Sequence, residues 1–244
     1  MMNKEAQVNF KRADCFKTNG HQDQAISEYL KALELDPKLA EAHNNLGILY
    51  KDRKQYWLAI EEYKKALEIN PRLDQAWDNL GIIYLTIGYY KDAISAYKNA
   101  TEINPENSRA HNNMGIAYDK IGDYQKAQEQ YRKAIELDPK LGEAHYNLGV
   151  IYGILNRLED SIKELNKAIE LDFIDAKAHF NLALSYKKKG MVEEAINEYK
   201  KALELDPQCA EAHYNLGLIY NTIGKKADAL IELEEFVKLT GKHI

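Results

Sequence analysis

The chain has 244 residues, is 45% apolar and carries a net charge of −5 at neutral pH. It can therefore bury a sizeable core, and it has no basic surplus with which to hold nucleic acid. No apolar run approaches the roughly 20 residues that span a bilayer, and the start MMNKEAQVNFKRAD lacks the features of a secretory signal, so a cytoplasmic protein without direct membrane insertion is expected.

Landmarks recur every 34 residues and divide the chain into 6–39, 40–73, 74–107, 108–141, 142–175, 176–209 and 210–243, a single array of seven units. All five prolines, Pro37, Pro71, Pro105, Pro139 and Pro207, stand at position 32, where a residue without an N–H ends one helix and leads into the next unit. Gly20, Gly88, Gly122, Gly190 and Gly224 stand at position 15, where glycine can turn the chain left-handed. Gly47, Gly81, Gly115, Gly149 and Gly217 stand at position 8, inside a helical pattern, and predict close helix contact. Each unit thus reads as helix A over about positions 2–14, a turn, and helix B over about 18–30, with an apolar stripe such as Ala59, Tyr63, Ala66 and Leu67. One hairpin cannot bury that stripe alone, so neighbours must stack.

Taken in order, the first unit has Arg12 and Ala13 in place of the Leu-Gly pair of the second, as a capping hairpin would. The second to fourth units are regular. The fifth drifts, with Asn156, Leu158, Ser161, Leu165 and Phe173 where Gly, Tyr, Ala, Tyr and Pro are usual, and a local change in the superhelix is expected there. The sixth carries Lys177, Lys187, Lys188 and Lys189. In the seventh, Phe236 replaces the alanine found in the other six units (Ala32, Ala66, Ala100, Ala134, Ala168 and Ala202), which predicts the end of the array. It also predicts an uncovered apolar stripe, Leu230, Ile231, Leu233, Phe236 and Val237, open to self-association as a homodimer or packed by its own loop.

Leu46, Gly47 and Tyr50, followed by Ala59, Tyr63, Ala66 and Pro71, resemble the tetratricopeptide repeat (TPR) pattern, and the resemblance covers essentially the whole chain. It implies an all-α fold, an α-solenoid coiled as a right-handed superhelix of seven helix-turn-helix hairpins. It also implies a concave face lined by helices A that binds a peptide or protein segment. The chaperone-binding members use a two-carboxylate clamp with Lys at position 5 and Asn at position 9, and no unit here has both.

The recurring stretch AHNNLGILY can be placed on helix A at about 100° per residue. Its Ala42, Leu46 and Tyr50 face the core. The histidines at position 4, His43, His111, His145, His179 and His213, belong with that face. Equivalent positions on stacked helices lie on the order of 10 Å apart, too far for shared metal ligation, so neither a metal nor another cofactor is expected. The two cysteines, Cys15 and Cys209, have no Cys-x-x-Cys partner and suggest neither a disulfide framework nor zinc. The asparagines at position 6, Asn45, Asn79, Asn113, Asn147, Asn181 and Asn215, are placed in the groove, where an amide can pair with a peptide backbone. They resemble the asparagine ladder of O-linked N-acetylglucosamine transferase, whose catalytic region this chain has no room for. The other reading is that each amide caps or bridges its neighbour through water. Position 5 adds Phe10, Asn44, Asp78, Asn112, Tyr146, Phe180 and Tyr214. With Lys177, Lys187 and Lys188, these aromatics form a seat for apolar side chains near a carboxylate, unless the lysines are only solvated.

No nucleophile, base and orienting group assemble outside these registers, so a catalytic site is not expected. The expected function is a non-enzymatic scaffold that holds an extended segment of a protein partner along the asparagine ladder. The alternatives are an assembly protein that self-associates through its last helix, and the substrate-docking region of a larger enzyme.

Overall fold

The computed structural model describes residues 4–173 and 175–242, which contain fourteen α-helices and no strand. Two compact units divide the chain, 1–123 and 124–244, and the division falls in the turn of the fourth 34-residue repeat. The first unit holds α1 (Lys4–Thr18), α2 (Gln22–Leu35), α3 (Ala40–Asp52), α4 (Tyr56–Ile69), α5 (Asp74–Thr86), α6 (Tyr90–Ile103) and α7 (Ser108–Lys120). The second holds α8 (Tyr124–Leu137), α9 (Gly142–Ile154), α10 (Leu158–Glu170), α11 (Ala176–Lys189), α12 (Val192–Leu205), α13 (Ala210–Thr222) and α14 (Lys226–Thr240). Odd-numbered helices are helices A and even-numbered ones helices B. Within each unit every helix packs mainly on its sequence neighbours, and successive helices A also touch, α3 on α5 and α5 on α7 in the first unit and α9 on α11 in the second.

The position-8 glycines are required by what faces them. A Cβ on Gly47 would lie 2.6 Å from the Tyr63 ring, and one on Gly81 would lie 2.7 Å from Tyr97. In the second unit Gly149 and Gly217 are pressed in the same way by Leu165 and Leu233, each at 2.7 Å. Before the last repeat, where Leu233 is half-buried, the large residues at position 24 are sealed: Tyr29, Tyr63 and Tyr97 in the first unit and Leu165 and Tyr199 in the second have no exposed surface. Burying a side chain the size of Leu165 contributes roughly 1.5–3 kcal/mol. Alanine at position 27 is buried in all six repeats that have it. The turn at position 15 is left-handed even where glycine is missing, since Lys54 and Asn156 both adopt φ 59°.

In the second, fifth, sixth and seventh repeats the recurring histidine stitches the hairpin together. His43 Nδ1 lies 2.5 Å from Glu62 Oε2, and its Nε2 lies 3.3 Å from the Pro37 carbonyl oxygen. The ring is thereby pinned between helix B of its own repeat and the turn that precedes helix A. His145–Glu164, His179–Glu198 and His213–Glu232 repeat the contact at 2.6 Å, all with the same spacing of 19 residues. In the third repeat Trp77 takes the histidine position and donates from Nε1 to the Pro71 carbonyl at 3.0 Å, and the glutamate position is Ala96.

Two departures read from the sequence take definite form. Without its proline, the fifth repeat closes α10 through Asp172 in the left-handed region at φ 58°, and Phe173 stacks on Tyr146 with ring centroids 4.9 Å apart. At α14 the expected apolar stripe is corrected. Leu233 is half-buried against Gly217, Phe236 is half-buried on Tyr214 at 5.0 Å between centroids, and Val237 is half-buried too. Leu233 and Phe236 pack back into their own hairpin, and of the expected set only Leu230 and Ile231, 59% and 60% exposed, are fully exposed.

Candidate functional site

Helices A carry the candidate residues in both units. In the first unit the asparagines at position 6 are half-buried. Asn45 donates from Nδ2 to Asp14 Oδ1 at 3.1 Å, and the Tyr29 hydroxyl donates to the same carboxylate oxygen. Asn79 donates to Asn44 Oδ1 at 3.4 Å. Asn113 approaches the Tyr97 hydroxyl without closing a hydrogen bond.

Position 5 differs from expectation. Asn44 and Asn112 are only 4% and 2% exposed and are withdrawn from any ligand. The reason is contact between helices A: α3 meets α5 and α5 meets α7, so position 5 falls in the seam between successive A helices and position 6 beside it. Asp78, at the same register on α5, is only half-buried. Burial, and then the charge of Asp74, raise its carboxyl to about 6, against the opposing pull of Lys51 and Arg109.

In the second unit Asn147 is half-buried on α9. Asn181 donates from Nδ2 to the Tyr146 hydroxyl at 3.2 Å and to its own helix's Lys177 carbonyl at 2.9 Å. Because a carbonyl can only accept, this contact identifies the amide nitrogen and turns the other end, Oδ1, away from it. Asn215 donates to the Glu211 carbonyl at 2.8 Å and accepts from Lys187 Nζ at 2.7 Å. Phe180 packs edge-on against Tyr199, and Tyr214 lies on Phe236, so each ring keeps only part of its surface open.

The lysine run is not simply solvated. Lys187 reaches Asn215, and burial lowers the pKa of its ammonium. Lys188 donates to the Gly153 carbonyl in the last turn of α9 at 3.1 Å, and Lys189 pairs with Glu159 at 3.0 Å. Cations suit this place because they also complement the C-terminal ends of α9 and α11. Lys177 is exposed.

Two features escaped the sequence. Asp14 stands at position 9, otherwise an apolar strip of Ile48, Ile82, Ile116, Val150, Leu184 and Leu218, and that break in register was the signal for it. The B-helix side also bears clefts. One of about 380 Å³ in the first unit is lined by Leu67, Trp77, Tyr84 and Asp92, and one of about 640 Å³ in the second by Arg132, Tyr152, Lys163 and Glu164. Among the described residues no three His, Cys, Asp or Glu side chains converge as a metal set, and no helix is long and apolar enough to cross a membrane.

Helical hairpins stacked through glycine and alanine contacts, with half-buried amides along helices A, define a repeat scaffold of the α-solenoid class. The TPR repeat pattern matches residues 14–53, 83–122, 154–190 and 186–224, more than half of the chain. Further tetratricopeptide repeat patterns match 40–73 and 108–141, 130–163, and 210–243, three of them in the frame of the 34-residue period. The chain belongs to the tetratricopeptide repeat family. No curated protein matches it. The crystal structure of MamA is 31% identical over 66% of this chain and 94% of that one, with a TM-score of 0.63. That of YrrB, described as a TPR protein with an unusual peptide-binding site, is 25% identical over 75% and 95%, with a TM-score of 0.65. Pseudomonas aeruginosa PilF, at 20% identity over 91% and 98% and a TM-score of 0.74, shares the fold. As a member of this family the chain is a protein-interaction scaffold.

Proposed function

We propose that the chain holds an extended segment of a protein partner along helices A of each unit, and that the position-6 asparagines present amide oxygens to the segment's backbone N–H groups. The observation that carries this reading is the polarity of Asn79 and Asn181. Each points its nitrogen at the neighbouring repeat, and Asn181 also at its own helix, which turns the amide oxygen toward a ligand. Direct bridging of this kind is compatible with a rail whose oxygens accept from the bound segment. Peptide binding by the related YrrB supports the same use of the fold. An unstructured backbone offers a donor at nearly every residue, so such a rail accepts many sequences. The reading involves no catalysis.

The test combines selection of binders from a random peptide library with Asn79→Ala and Asn181→Ala, read by fluorescence polarisation. Tyr146→Phe serves as control, because it removes the bridge from Asn181 but keeps the amide. Weaker binding in the asparagine variants and not in the control is expected, and equal binding in all of them removes the rail. A second reading, self-association through α14, is favoured by one observation. Ile231 is exposed at position 22, where the other repeats carry Ser27, Glu61, Ser95, Glu129, Lys163 and Asn197. Sedimentation of the parent protein and of Ile231→Glu across a concentration series decides it, and a parent that stays monomeric throughout ends it.

A further inference from the structure

The two clefts on the B-helix side stand at the same register, walled by α4, α5 and α6 in the first unit and by α8, α9 and α10 in the second, but they are filled differently. In the second unit the chain supplies cations of its own. The guanidinium of Arg157, at position 16, lies over the Tyr152 ring with its Cζ 4.4 Å from the centroid, and it donates from Nε and Nη2 to Asp160 Oδ2 at 2.8 and 2.5 Å. Arg132 reaches the same tyrosine from α8 and donates to its hydroxyl from Nε and Nη2 at 3.0 and 2.8 Å. In the seventh repeat Lys225 Nζ, again from position 16, lies 5.8 Å from the Tyr220 centroid, and Asp228 stands at position 19.

The third repeat keeps the tyrosine, Tyr84, and the position-19 carboxylate, Asp92, but has no cation at position 16, where Tyr89 lies on the Tyr84 ring at 6.4 Å between centroids. Asp92 is exposed, and among the described residues it has neither an ion pair nor a side-chain hydrogen bond. Lys64, at the register of Arg132, is exposed and equally unengaged. The cleft has also lost an inner side chain, because position 23 is Ala96 where the other repeats carry Glu28, Glu62, Gln130, Glu164, Glu198 and Glu232. The resulting space of about 380 Å³ brings the partly exposed rings of Trp77 and Tyr84 together with buried Leu67 and Leu80 and with Asp92. Glu68 and Lys64 complete its charged rim, two carboxylates against one ammonium. A guanidinium suits such a lining, because it is planar and weakly hydrated, stacks on aromatic faces and offers a carboxylate a fork of donors, while its methylene stem covers apolar surface.

We infer that this cleft is a second docking site, on the B-helix side of the first unit, and that it takes one arginine side chain presented by a partner protein. The partner's guanidinium does for Asp92 what Arg157 does for Asp160 within the chain, and its stem lies against Trp77 and Tyr84. The site is separate from the amide rail of helices A and holds or fails independently of it. Because Asp92 is open to water, its removal weakens the contact about three- to tenfold rather than abolishing it.

The test is an NMR titration of the whole chain with Nα-acetyl-arginine methylamide and, separately, with its norleucine counterpart. The signals followed are the Trp77 indole N–H, told apart from that of Trp57 by Trp57→Phe, and the side-chain carboxyl carbon of Asp92. The arginine probe is expected to shift both, and the norleucine probe to have little effect. In Asp92→Asn, a change at an exposed position that leaves the core intact, the arginine probe is expected to bind about three- to tenfold more weakly. Tyr89→Arg gives the third repeat the arginine that the fifth already has, so the Asp92 signal is expected to move without any probe and the response to the probe to fall away. Equal responses to the two probes would mean a merely apolar cleft and overturn the proposal. So would no response to either probe, or an undiminished response to arginine in either Asp92→Asn or Tyr89→Arg.

Discussion

Replacing Glu62 by alanine strands His43. The two side chains are each about nine-tenths buried and meet at 2.5 Å, and Lys65 Nζ reaches the other carboxylate oxygen at 2.9 Å. A hydrogen bond to a charged group is worth about 1.5–3 kcal/mol, and a buried ring nitrogen left without its partner bears a desolvation cost of similar size. Glu62→Ala is therefore expected to lose about 2–3 kcal/mol. His43→Trp alone overfills the site beside Glu62 and deprives that carboxylate of its donor, for a loss of about 1–3 kcal/mol. The third repeat shows how the two changes fit together, because there tryptophan donates to the proline carbonyl and alanine makes room for it. The double variant H43W/E62A should be more stable than the sum of the singles implies, with a coupling energy of at least about 1 kcal/mol. Repeat arrays open piecemeal, so the cycle is best measured by urea unfolding together with hydrogen exchange of the α3 and α4 amides. Simple additivity in the double variant would refute the reasoning, since it would mean that ring and carboxylate do not act as one unit. The pH dependence gives a second check. Burial acts to raise the Glu62 carboxyl, but the hydrogen bonds from His43 and Lys65 prevail and hold it below its ordinary value of 4.5. A depressed folded value means that the contribution is complete above pH 4.5 and is lost as the pH falls further, so Glu62→Ala should cost less in acid than at neutrality.

Other outcomes follow from the same contacts. Tyr29→Phe loses a hydroxyl bound to Asp14 and is expected to cost about 1.5–3 kcal/mol in urea unfolding. Tyr63→Phe removes a buried hydroxyl that has no partner, so it should be neutral or stabilising, and a comparable loss in both would contradict the assignment. For Asp78→Asn the sign is opposite to that of Glu62. A carboxyl raised from 3.8 to about 6 in the folded state penalises the fold above that range and not below it. Allowing for its partial exposure, the variant should gain about 1–2 kcal/mol at pH 7.5 and nothing at pH 4, as thermal melts at the two pH values would show. Gly81→Ala pushes a methyl against the Tyr97 ring at 2.7 Å, costing about 1–3 kcal/mol, against which about 1 kcal/mol of helix propensity is regained. The sixth repeat already holds Ala183 in a core with Tyr199, so the variant should fold but melt lower, and a higher melting temperature would contradict the packing argument.

Much of the fold is legible because its determinants are local and repeated. The 34-residue period, the proline and glycine registers and the alternation of helices A and B all stand in the chain itself, and α3 and α4 occupy 40–52 and 56–69 much as the pattern places them. The spacing of 19 between His43 and Glu62, matched at His145–Glu164 and broken jointly at Trp77 and Ala96, was also present in the sequence. Its meaning needed the hairpin that brings the two positions together.

The candidate site was legible only by register. A helical wheel assigns Asn44 and Asn45 to one side of α3, because it treats the helix as if it stood alone. Contact with α5 then buries Asn44 and leaves Asn45 half-open, a choice made by the neighbouring repeat. The sequence by itself determined the repeat, its hairpins and the row of amides, since each rests on short-range periodicity. Only the tertiary structure decided which polar atoms find partners. Asp78 and Tyr97 are left wanting one and Asp14 and Tyr29 are not, because burial and hydrogen-bond distance arise where separate helices meet.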